Sequence, residues 1–110
     1  MKIPNAKHAV VDIRKLRDYC LNPLHSVGKR KARLFASALH MAANDAEELR
    51  TLLLQAVKTQ DAQFGRHDIY GQRYIVDFMV IWHKRKSMIR SAWIIEHDSN
   101  VPRLTSCYPL

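Results

Sequence analysis

From Tyr74 to Trp82 the chain alternates in a way that leaves it little conformational freedom. Tyr74, Val76, Phe78, Val80 and Trp82 fall on one side of an extended segment, and Ile75, Met79 and Ile81 on the other. A period of two is that of a strand. Apolar residues on both faces call for a central strand, covered by helices on one side and by further chain or a partner on the other. Gly71 marks the start of this run, and His83-Lys84-Arg85-Lys86 forms a charged turn at its end. Residues 87–97 read as the partner strand of a hairpin, with Ile89, Trp93 and Ile95 alternating against Met88, Arg90, Ala92 and Ile94. Beyond the Asp98-Ser99-Asn100 turn, Pro102 fits only a strand start or edge, so residues 103–108 are expected to close an antiparallel meander.

The preceding part of the chain has a helical period. Asp12 is a good N-cap for a short helix whose stripe is Ile13, Leu16 and Cys20, and Asn22-Pro23 ends it. Between about residues 28 and 41, Ala32, Phe35, Ala36 and Leu39 share one face of a second helix. Asn44 with Glu47 has the spacing of a capping box, ahead of the stripe Leu49, Leu52, Leu53, Ala56 and Val57, which ends near Thr59. The expected fold class is therefore α+β: three N-terminal helices packed on a three- to four-stranded antiparallel sheet, in a single domain spanning residues 1–110.

No apolar run approaches the roughly 20 residues of a membrane span, and the N-terminus has no secretory pattern, so a cytoplasmic location is expected. The two cysteines, Cys20 and Cys107, have no metal-ligand or redox spacing, and the six histidines form no ligand motif. Neither a metal nor another cofactor is implied.

Charge directs attention to a partner. Eighteen Lys and Arg against ten Asp and Glu give a net charge of +8, which suits attraction to a phosphate backbone. Lys29, Arg30, Lys31 and Arg33 crowd the start of the second helix beside His25. Four cations there repel one another and oppose the helix dipole, at a cost that a bound anion relieves. His25, kept neutral by its cationic neighbours, is a candidate general base. Arg73 stands beside Asp68 at a strand start, where a structural ion pair is the simpler reading. Arg90 lies within an apolar strand and must reach solvent, Asp77 or a ligand phosphate. On the last segment, Arg103 and Thr105 are the expected phosphate-holding pair, because strict alternation groups them with Cys107 and sets Leu104, Ser106 and Tyr108 on the opposite, core-like face.

Through the blocks Lys15-Leu16-Arg17-Asp18-Tyr19, His25 to Phe35, Asp68 to Asp77, Arg90 to Trp93 and Pro102 to Tyr108, the chain resembles an uncharacterised family of small bacterial domains. More remotely, a basic helix with His or Lys, followed by a sheet with Arg and a terminal Thr near Tyr-Pro, resembles the metal-independent ribonuclease toxins of the barnase, EndoU, colicin and RelE group. That resemblance implies cleavage of RNA by attack of a ribose 2′-OH on the adjacent phosphate. It casts His25 as base or acid, Lys29 and Arg90 as phosphate ligands, and Thr105 and Tyr108 as catalytic groups on the terminal strand. The chain has no second well-placed histidine on its sheet, which shifts the expectation from paired histidine chemistry to arginine assistance.

Three functions use the same charge: a toxin-type ribonuclease, a non-catalytic nucleic-acid-binding module, and an interaction subunit for an acidic protein such as an immunity protein or antitoxin. Met79 and Ile81 also make a homodimer through the second sheet face an expectation.

Overall fold

Asp12 does cap the first helix, its carboxylate accepting the Arg14 N–H at 3.0 Å in the computed structural model, which describes all residues from Met1 to Leu110. This helix, α1 (Ile13–Lys15), widens at once into a π-turn, Leu16–Cys20, in which the Leu21 N–H donates to the Leu16 carbonyl. The wider turn buries Leu16 and Cys20 while leaving Tyr19 half-exposed. Helix α2 (Lys29–Leu39) buries Ala32, Phe35 and Leu39, whereas Ala36 stays exposed, so its apolar stripe is narrower than the spacing suggests. Helix α3 (Ala46–Thr59) buries Ala46, Leu49, Leu53, Ala56 and Val57. Its expected Asn44–Glu47 capping box does not form. A tight turn, Ala43–Asp45, absorbs Asn44, and the Asp45 carboxylate instead accepts the Ala42 N–H at 2.9 Å.

Four strands follow, β1 (Gln63–Asp68), β2 (Gly71–Trp82), β3 (Arg85–Glu96) and β4 (Arg103–Pro109), antiparallel and in sequence order across the sheet. The β2–β3 turn has only two residues, His83 and Lys84, both left-handed at φ 48 and 68. Strand β3 therefore begins at Arg85, earlier than the charged run implies. The three helices cover the face carrying Tyr74, Val76, Phe78 and Val80, which join them in one buried cluster. Trp93 lies at its centre. Its indole N–H donates to Ser91 Oγ at 2.9 Å, and that hydroxyl donates to the Val76 carbonyl at 2.7 Å. The N-terminal lead runs along the start of β4, with Val10 N–H donating to the Pro102 carbonyl and Leu104 N–H to the Val10 carbonyl. No helix is long and apolar enough to cross a membrane.

Strand β4 departs from strict alternation. Ser106 pairs with Ala92 and Leu104 with Trp93, so Thr105 is an extra residue opposite β3. This bulge resets the parity: Leu104 and Cys107 are both buried, while Arg103 and Tyr108 are both partly exposed. The expected grouping of Arg103 with Cys107, and of Tyr108 with the core, is thus overturned.

Candidate nucleic-acid interface

Because every helix packs on one side, the other side of the sheet is open, and register aligns its side chains in rows. One row is Asp77, Arg90 and Tyr108, directly paired across β2, β3 and β4. Arg90 donates from Nε and Nη2 to the two Asp77 oxygens, each at 2.9 Å. This hydrogen-bonded carboxylate holds the guanidinium above its ordinary pKa, with a smaller contribution from Tyr108, so Arg90 is a permanent cation. Asp77 occupies two of its five N–H groups, leaving the rest for an anion. A second row, Arg73, Ile94 and Arg103, lies nearer the other end of the sheet. Arg73 is tied to Asp68 at 3.0 Å and Arg103 to Glu96 at 3.1 Å.

Between the rows is a groove of about 310 Å³, floored by Ile75 and Ala92 and edged by Arg66, Arg73 and Thr105. The Thr105 hydroxyl donates to the Ala92 carbonyl at 3.1 Å and so keeps its own lone pairs for a donor. Asp68 anchors the arginine edge, accepting from Arg66 Nε at 2.8 Å, Arg73 Nε at 3.0 Å and the Tyr70 N–H at 2.9 Å. The Arg66 hydrogen bond leads in holding this carboxyl well below its ordinary value of 3.8, followed by the Tyr70 N–H. A depressed carboxylate stabilises the fold above its unfolded pKa, and the contribution is lost as pH falls toward the folded value. Asp68→Asn should therefore lower the Tm at neutral pH and flatten its dependence between about pH 4 and pH 2; an unaltered acid limb in thermal melts would refute this.

The start of α2 forms a separate cluster at the β4 side. Gly28 is packed against the π-turn, where any Cβ would run into the Tyr19 carbonyl, so only glycine admits this approach. His25 Nδ1 accepts two backbone N–H groups, from Val27 at 3.0 Å and Gly28 at 2.9 Å. The neutral ring then carries its proton on Nε2, which donates and does not accept. His25→Ala should cost about 1 kcal/mol through loss of this cap, with His25→Asn recovering part of it in urea titrations; equal loss in both variants would count against a capping role.

Lys31 connects this cluster to the open face. Its Nζ donates to Tyr19 Oη at 2.9 Å, lies 4.9 Å from the Tyr19 ring centre and stands 6.0 Å from that of Tyr108. Lys29, Arg30 and Arg33 are exposed on α2, and Arg33 borders a different hollow beside Ala36 and Met41. The structure thus brings Arg90, Tyr108 and Lys31 together and places Thr105, Arg73 and Arg103 farther along the same open face. Tyr19 was not singled out by sequence reasoning as a site residue, because the Tyr19–Lys31 contact depends on how the π-turn meets α2. Cys20 and Cys107, each next in sequence to one of the two tyrosines, are both free and buried. A hydrogen bond from Cys107 lowers the Cys20 thiol, while Cys20 and burial raise that of Cys107.

Over residues 2–110 the chain matches the family described as Domain of unknown function (DUF6883). It belongs to that family. Among solved structures it is similar to a chain of the contact-dependent growth inhibition toxin - immunity protein complex from Klebsiella pneumoniae 342, with a TM-score of 0.68 and 20% identity. The likeness covers 93% of this chain and 100% of that one. At that identity it establishes shared architecture. No curated protein matches the chain.

Proposed function

We propose that this DUF6883 domain is a toxin-type ribonuclease that binds RNA on the open sheet face and cleaves it without a metal. The observation that carries this reading is the Asp77–Arg90–Tyr108 row with Lys31 beside it, a cluster of cations and hydroxyls on the open sheet face. The structural neighbour from a toxin and immunity protein complex supports it at the level of system, and the net charge of +8 suits a polyanion.

In this reading the free N–H groups of Arg90 hold the non-bridging oxygens of the scissile phosphate and stabilise the charge that develops there. Tyr108 Oη relays the proton, accepting it from the 2′-OH as its own phenolic proton passes to a solvent water, the O2′–P bond forms, and the P–O5′ bond breaks as Lys31 supplies to O5′ a proton that solvent then restores to it. The products are a 2′,3′-cyclic phosphate and a free 5′-OH. Arg73 and Arg103 guide the strand, as do Lys29, Arg30 and Arg33 from α2, by contacts to phosphates. His25 holds the start of α2 in place through its Nδ1. Such a domain needs a protective partner, and an acidic immunity protein covering the open face fits the charge.

The test is incubation of the purified chain with a labelled single-stranded RNA and with the same strand carrying one 2′-deoxy substitution at each cut position. Cleavage leaving cyclic phosphate ends, blocked by the 2′-deoxy groups, is the expected result. Salt-sensitive binding without cleavage would leave an RNA-binding module; neither binding nor cleavage would discard both readings.

A further inference from the structure

We infer that the groove between Arg73 and Thr105 is a subsite for one RNA base, read at an acceptor-rich edge such as that of guanine. The inference rests on the proposed phosphate site and deepens it. Ala92 lies two residues from Arg90 on the same strand face, so the groove floor is about 7 Å from the phosphate-binding row. That spacing is of the order separating a nucleotide's phosphate from its base. The floor, Ile75 and Ala92, is apolar, and the small Ala92 beside the bulge leaves room over it, which suits the face of a planar ring. At about 310 Å³ the groove is at the lower end for small-molecule sites and takes a single base.

The rim sets the hydrogen-bonding character. Arg66 and Arg73 each use Nε on Asp68, which leaves their terminal nitrogens as paired donors directed by a fixed carboxylate. Paired guanidinium donors match the adjacent O6 and N7 acceptors of guanine, whereas adenine presents a donor at the first of these positions. Thr105 contributes an acceptor for a ring N–H.

Backbone and side-chain NMR of the whole chain, titrated in parallel with inorganic phosphate, ribose 5-phosphate, 3′-GMP and 3′-AMP, tests this without requiring turnover. Phosphate and ribose 5-phosphate should shift Arg90, Tyr108 and Lys31 only, while 3′-GMP should also shift Ala92, Thr105 and Arg73, and bind about tenfold more tightly than 3′-AMP. Thr105→Val and Ala92→Leu should each weaken 3′-GMP binding by about tenfold and leave phosphate binding within about twofold. Shifts at the phosphate row with a silent groove for every nucleotide would overturn the base subsite and leave the ribonuclease reading standing. A response to neither group of probes would overturn both. Equal or tighter binding of 3′-AMP would overturn the reading of the arginine rim.

Discussion

Arg90→Ala is expected to slow RNA cleavage by about 10²- to 10³-fold in kcat, with a smaller rise in KM. The size follows from pre-organisation. Asp77 fixes the guanidinium through two bonds of 2.9 Å, so its orientation is set before substrate arrives. Arg90→Lys restores charge without the fork and should recover affinity more than rate. Asp77→Asn keeps the arginine while loosening its orientation, and should lower kcat by a smaller factor. Both ion-pair partners are about one-third exposed, so the accompanying loss of stability is modest and the variants should fold. Single-turnover kinetics with matched circular dichroism checks the set; a loss of less than about tenfold for Arg90→Ala would remove this arginine from the chemistry.

Trp93→Ala should have the largest effect on stability, about 3–5 kcal/mol in urea unfolding. The side chain is fully buried between the sheet and the helices, and its removal leaves a void the close-packed core does not refill. Ser91→Ala separates packing from polarity. It keeps the tryptophan but strands the indole N–H and removes the hydroxyl bonded to the Val76 carbonyl, for about 1–3 kcal/mol. Near-neutral behaviour of Ser91→Ala would mean that the buried serine is dispensable.

The parts of this fold legible in the amino-acid sequence are those where one side chain period meets one buried surface. Phe35 and Leu39, Leu49 and Leu53, and Val76, Phe78 and Val80 face the core as their spacing predicts. Strand β1 escaped that reading because it is an edge: Phe64 is exposed, no alternation is imposed on it, and it is held by backbone pairing to β2. Asn44 and Asp45 are both capping residues, and only the tight turn at Ala43–Asp45 decides between them. For the site, Asp77 and Arg90 were legible because hairpin register pairs them. The Lys31–Tyr19–Tyr108 contact was not, since it joins three elements distant in sequence. His25 was read for its chemistry, and its main visible role is to satisfy backbone groups.

The bulge at Thr105 makes β4 a strand in which gap placement carries meaning. Leu104 and Cys107 mark the inward face on either side of it, and Arg103 and Tyr108 the outward one. A homologue lacking this extra residue would keep all four in place, provided the gap in an alignment falls at Thr105. Moving that gap past Leu104 would shift that residue by one place and exchange inward for outward. For any chain aligned to this one, a one-residue gap in the terminal strand therefore belongs at Thr105, with Tyr108 marking the outward face beyond it.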